Sequence, residues 1–142
     1  MSERHKSREH ALQMLFQWEI GKQQPSRIEE GFWKIARAEK TTRGFANELF
    51  EGAVSGAAEL DALVAGHAEH WRLERMSVID RAILRLAAFE LHSPQTPAKV
   101  VLNEALELTK KFSSAEAVPF VNGVLDALLR TMRKKEKEKE KD

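Results

Sequence analysis

The sequence predicts an all-α domain. Three observations carry this: apolar residues recur every three or four positions along nearly the whole chain, β-branched runs are scarce, and only 7 Gly and 4 Pro punctuate 142 residues. The length is that of one domain, large enough for a core that needs no disulfide or metal as a staple. Hydrophobic residues make up 42%, as in an ordinary globular chain, and the 32% of charged residues fits long exposed helical faces.

The first helix is expected from about Ser7 to Ile20, with Ala11, Leu12, Leu15, Phe16 and Glu19 on one stripe and Gly21 as its stop. Pro25-Ser26 opens a second helix, where Ser26 and Glu29 have capping-box spacing and Ile28, Phe32 and Ile35 form the apolar face. Thr41-Thr42 precede a long third helix, with Phe45, Leu49, Ala53, Ala57, Leu60, Val64 and His67 on one stripe ending near Trp71. Gly52 and Gly56 share a face of it. Each glycine costs about 1 kcal/mol in a helix interior, so their presence points to close approach of another helix, or else to a kink.

Ser77 caps a fourth helix, three residues before Asp80, and Ile79, Ile83, Leu86, Ala87 and Glu90 continue its stripe. Ser93-Pro94-Gln95-Thr96-Pro97 reads as a loop, because its prolines block helix continuation. A fifth helix is expected from Pro97 to about Phe112 with Val101, Ala105 and Leu108 inward. Ser114 can then cap a last helix holding Phe120, Val121, Val124, Leu125, Leu128 and Leu129. The domain is expected over residues 1–132. Residues 133–142 carry no apolar side chain and read as a solvated helix extension or a disordered tail. Six Lys/Arg against four acids there leave +2, and their alternation makes the tail by itself a poor grip on RNA.

Several function classes drop out. With no cysteine there is no disulfide, thiolate zinc site, iron–sulfur cluster or Cys nucleophile, which fits a reducing compartment. No apolar run approaches the roughly 20 residues of a membrane span, and the basic N-terminus leads into an amphipathic stretch, so a cytoplasmic protein is expected. Lys+Arg 23 against Asp+Glu 22 gives a net charge of +1, so only a local cluster can announce a nucleic-acid partner. There is no Gly-rich phosphate loop, nucleophile elbow or H-E-x-x-H. His67 and His70 are too few for a metal site and read as packed or solvated histidines. No enzyme activity, cofactor or metal is expected.

Two features are left. Arg4, His5, Lys6 and Arg8 crowd basic-capable residues at the start of a helix that also carries Gln13, Phe16 and Trp18. Cations bind phosphates and aromatics stack on unpaired bases, but taken alone a solvated helix start explains the cluster as well. Asn122-Gly123 has helical rather than alternating flanks, so a hairpin turn is disfavoured. A glycine inside a helix implies close approach by another backbone or a ligand. Phe120 beside it reads as core or as a stacking platform, and periodicity favours core.

Phe-Val-Asn-Gly-Val-Leu-Asp at 120–126 resembles the closing motif of the NusB transcription antitermination family. Three more segments are similar to that family in the same order. They are Arg8-Glu9-His10-Ala11-Leu12-Gln13-Met14-Leu15-Phe16, then Trp71 to Met76 with Asp80 to Ala87 and Glu90-Leu91, then Val101 to Phe112. The resemblance implies an all-α fold of two packed helical subdomains. It implies binding to the single-stranded boxA element of ribosomal RNA leaders, with the ribosomal protein NusE as partner, within an RNA polymerase antitermination complex. By position it implies RNA contacts from Arg4, His5, Lys6, Arg8, Gln13, Phe16, Lys110, Phe112, Glu116, Phe120 and Asn122. It places Glu74, Asp80 and Arg81, on an exposed face of the fourth helix, toward NusE.

The chain departs from the family pattern in two ways: Glu3 and Glu9 dilute the basic arm, and Phe16 stands where a tyrosine is common. Two rival readings accompany this one. A similar helical domain serves as an RNA-binding appendage of rRNA cytosine methyltransferases, and some family members form homodimers.

Overall fold

The computed structural model describes residues 3–59, 61–62, 76–93 and 95–140. Among these lie the α-helices α1 Glu3–Gly21, α2 Pro25–Ile35, α3 Lys40–Ser55, α4 Val78–Leu91, α5 Ala98–Phe112 and α6 Val118–Glu140, with a further helical stretch after α3. A single 3-10 turn, Ala115–Ala117, joins α5 to α6. No strand occurs among the described residues.

Helices α1–α3 and α4–α6 form two groups joined where α1 and α3 pack on α4. One core runs through both: Leu12, Leu15, Leu49 and Phe50 from the first group meet Ile83, Leu86, Val101, Val121 and Leu125 from the second. Helix α4 lies at the centre, and every residue from Ala82 to Ala88 is buried. The expected stripe on this helix is therefore widened to burial on nearly all sides, the charged Arg85 included, because neighbours cover it.

Several local signals act as the sequence predicts. The Ser77 hydroxyl accepts from the Asp80 amide at 3.0 Å, and that of Ser114 accepts from the Ala117 amide at 3.1 Å. Others differ. Helix α1 starts at Glu3, so the basic segment is helical; the Ser7 hydroxyl, buried against α3, donates to the Thr42 carbonyl at 2.8 Å. The capping box at Ser26 does not form, because Pro25 already opens α2 with Gln24 as N-cap. Thr41 and Thr42 lie inside α3 rather than before it. Ile35 is 88% exposed instead of facing the core.

The long third helix is also shorter than expected. It stops at Ser55, Gly56 leaves the helical conformation, and helix resumes at 57–59 and 61–62. Both readings of the glycine pair thus apply, one to each residue. At Gly52 an added Cβ would stand 2.1 Å from Phe89 Cζ of α4, so close approach explains it. At Gly56 the helix breaks. His67, His70, Trp71 and Glu74 lie outside the described residues.

Candidate nucleic-acid interface

The N-terminal half of α1 is fastened to α4 and α5 by charge. Arg8 is 3% exposed and donates through Nε and Nη2 to both carboxylate oxygens of Glu90, at 2.7 and 3.0 Å. This bidentate pair satisfies two buried charges at once. On the same helix His5 Nδ1 lies 2.6 Å from Glu104 of α5, and Glu9 meets Lys111 Nζ at 2.5 Å. Arg8 thus departs from its expected place in the basic arm, because its guanidinium is inside the protein. Glu90 was legible as part of the apolar stripe of α4, and an acid at a core position signals a buried cation. Glu104 and Lys111 carried no such signal.

Two cations remain on the surface at this end, in company with the exposed acids Glu3 and Glu48. Lys6 and Arg4 are exposed, and the Arg4 guanidinium lies 3.8 Å over the Phe45 ring of α3. A groove of about 460 Å³ runs beside it, lined by Arg4, Ser7, Thr41, Thr42 and Phe45 together with the acids Glu3 and Glu48. Lys110 is exposed at the end of α5, loosely paired with Glu107 at 3.5 Å. Lys111 Nζ, besides meeting Glu9, lies 5.5 Å from the centre of the Phe112 ring.

Helical phase places His5, Glu9 and Phe16 on one side of α1, since four and seven residues are one and two turns. Phe16 is half-buried there, and Gln13 is exposed nearby. Phe112 and Phe120 are partly buried and pack against the core. Glu116 and Asn122 are exposed. The ion pairs to Glu104 and Lys111 therefore bring the basic part of α1 alongside the end of α5. Gly123 shows no protein atom within 4 Å of an added Cβ, so no neighbouring helix explains it.

The residues assigned to the partner face sit differently from expectation. Arg81 and Asp80 are half-buried at the start of α4. Arg81 Nη2 bonds Glu19 Oε1 at 2.7 Å, and Arg85 contacts the other oxygen of the same carboxylate. Arg85 also holds Asp61 bidentately, with both bonds at 2.7 Å. With so much of α4 covered, no broad exposed face is left on its described residues. The favourable contacts to Asp61 and Glu19 hold the Arg85 guanidinium above its ordinary pKa against the opposing effect of burial.

Between α1 and α2, His10 packs edge-on against Phe32 and Trp33, with ring centres 5.5 and 5.2 Å away. Burial pushes its imidazole below its usual pKa; Lys6 adds to this and Glu9 opposes it. Among the described residues no group of three His, Cys, Asp or Glu gathers to hold a metal, and no helix is long and apolar enough to cross a membrane.

The NusB family profile matches residues 5–130. A transcription antitermination protein NusB from Koribacter versatilis (strain Ellin345) is 49% identical over 138 residues, covering 96% of this chain and 94% of its own. Among solved structures, the crystal structure of antitermination factors NusB and NusE in complex with double-stranded RNA contains a chain that superposes with a TM-score of 0.83. It is 26% identical, with 92% of this chain and 98% of that one covered. NusB of T. maritima superposes with a TM-score of 0.80 at 29% identity, covering 92% of each chain.

Proposed function

The chain belongs to the NusB family, and we propose that it is a transcription antitermination factor, without catalytic activity of its own. In this reading it binds boxA RNA of ribosomal RNA leaders together with NusE, as part of an RNA polymerase antitermination complex in the cytoplasm. The relative solved with NusE and double-stranded RNA supports the choice of partners. The observation that carries the reading is the joining of α1 to the end of α5 through Glu9–Lys111 and His5–Glu104. It brings Lys111, and with it the end of α5 that carries Lys110 and Phe112, against the helix that carries Lys6 and Phe16.

In this reading Arg4, Lys6 and Lys110 meet phosphates, and Phe16, Phe112 and Phe120 offer ring edges or faces to bases. Gln13, Glu116 and Asn122 supply hydrogen-bonding groups at the surface. His5 contributes through its edge beside Glu104. Arg8 acts from inside, as the positioning residue that fixes the arm's helix on α4. Asp80 and Arg81, with Glu74, border the NusE surface near the start of α4.

The test is a salt-series titration of single-stranded boxA RNA, the same sequence as a duplex, and a scrambled single strand, each with and without NusE. Each phosphate contact to a single strand adds about −0.7 to the slope of log K against log salt. Preference for single-stranded boxA that tightens with NusE is the expected result. Equal binding to boxA and scrambled RNA would remove boxA specificity from the reading, and tighter duplex binding would change the RNA class.

A second reading, self-association, is favoured by one observation. Ile20 and Ile35 are 65% and 88% exposed, and Ile35 lines the groove between α1 and α2 with Gln13, Gln17 and Phe32. Sedimentation of the protein alone reads it directly: a monomer at micromolar concentration dismisses it.

A further inference from the structure

Helix α6 extends well past the core, to Glu140. Its buried side is Val121, Val124, Leu125 and Leu128, and all residues from Arg133 to Glu140 are exposed. In sequence the tail alternates Lys and Glu, a pattern of period two. On a helix of period 3.6 the same residues sort differently. Arg130, Arg133, Lys134 and Lys137 stand at i, i+3, i+4 and i+7, the spacing of one continuous helical face. Glu136 and Glu138 fall to its flanks, and Lys135 and Lys139 fall on the far side.

That basic face prolongs a particular surface. Counting back by the same period from Arg130 leads to Asp126, Gly123, Asn122 and Pro119, the side of α6 opposite its buried stripe. Asn122 and Gly123 are exposed, and the side-chain space at Gly123 is open. The strip from Asn122 to Lys137 is about 22 Å long at 1.5 Å per residue. Its only acid is Asp126, which pairs with Arg130 at 2.9 Å. Arg133, Lys134 and Lys137 have no ion-pair partner among the described residues. Four cations against one acid leave +3 on a single line.

We propose that this line is a second, sequence-independent contact for the phosphate backbone of RNA, continuous with the surface around Asn122. It rests on the reading of the chain as an RNA-binding factor and adds a track by which RNA leaving that surface follows α6. A negatively charged polymer matches it because spaced cations along an exposed helix gain by displacing condensed counterions. The bare backbone at Gly123 lets a phosphodiester pass close to the helix where any side chain would stand in its way.

The experiment compares two double variants of the full chain with equal loss of charge. Arg133→Ala with Lys137→Ala empties the line, whereas Lys135→Ala with Lys139→Ala removes two cations from the far side. Alanine preserves helix propensity, and circular dichroism checks that it does. Each variant is titrated over a salt series with single-stranded boxA RNA carrying a 3′ or 5′ extension, and with scrambled RNA of equal length.

The first variant should flatten the salt slope by about 1.4, two contacts at 0.7 each, on both RNAs alike, and the second should leave it unchanged. Equal flattening by both would reduce the tail to net charge and overturn the line, as would no change from either. The boxA-against-scrambled ratio of the unmodified protein is read in the same titrations. Loss of that ratio would strike the boxA reading while leaving the backbone track standing.

Discussion

The two ends of α1 use the same chemistry to different effect. At the C-terminal end, Glu19 is clasped by Arg81 and Arg85, and Arg85 is in turn held by Asp61. Lys22 lies 3.7 Å from the same Glu19 and 4.0 Å over the Trp18 ring. There every cation near the helix end is engaged. At the N-terminal end, Glu90, Glu104 and Glu9 engage Arg8, His5 and Lys111, and Arg4 and Lys6 remain without an ion-pair partner among the described residues. The first end is a latch between helices. The second is a latch beside two cations that no carboxylate clasps, with Glu3 and Glu48 near Arg4 in the same groove, and an unclasped cation is what an anion can bind. The pairing of the cations distinguishes the two ends where net charge, at +1, says nothing.

Glu90→Gln should cost the most stability of any single change at the two ends. It leaves the buried Arg8 guanidinium with only the more distant Glu104, 3.9 Å from Nη1, as counter-charge, and removing one member of a buried pair costs about 3–5 kcal/mol, with the lower end expected here. Urea unfolding should show that loss. A loss below about 1 kcal/mol would mean water reaches Arg8. Next comes Glu19→Gln, which strips Arg81 and Arg85 of a shared partner. It should cost about 1–3 kcal/mol, less than at Glu90 because Asp61 still holds Arg85. RNA affinity should not change, and a weakened RNA complex would erase the distinction between the ends.

Arg4→Ala with Lys6→Ala reverses the pattern. Stability should move by no more than about 0.5 kcal/mol, as at ordinary surface sites, while the RNA salt slope flattens by about 1.4. An unchanged slope would take the arm out of the RNA surface. One further variant belongs to neither end and serves as a control. Burial, then the charge of Glu51 and a hydrogen bond with it, push the Glu29 carboxyl up from 4.5 to about 7. The folded chain therefore holds this proton where the unfolded chain has lost it. Stability from this group is complete below about pH 4.5 and declines as pH rises to about 7. In Glu29→Gln that decline should vanish from the pH profile of the melting temperature. If it persists, the titrating group lies elsewhere.

Much of the fold could be read from the sequence because it rests on local signals. Ser77 and Ser114 cap as their positions predict, and the apolar steps of α1, α3 and α5 mark the faces that are buried. The misreadings came where tertiary contacts override local preference. Thr42 and Ser7 are polar residues at helix starts, yet they bury each other across α1 and α3. Ile35 fits an apolar spacing but has no helix opposite it.

The candidate site was legible in composition and not in geometry. Arg4, His5, Lys6 and Arg8 look equivalent in a string of letters. Only folding separates the exposed Lys6 from the buried Arg8, because the helical turn points one outward and the other at Glu90. The charges of the tail look different in the string and on the helix for a related reason: their alternation cancels along a line but not around a helix.

The Gly52–Phe89 contact makes two distant positions share one volume. The Phe89 ring fills the notch that a missing side chain leaves on α3, so neither residue's size is set alone. What the interface fixes is their sum. A methyl group gained at 52 has to be surrendered at 89, and a ring trimmed at 89 leaves a hollow that a larger residue at 52 can fill. The two positions behave as a single site that happens to be written in two places in the chain.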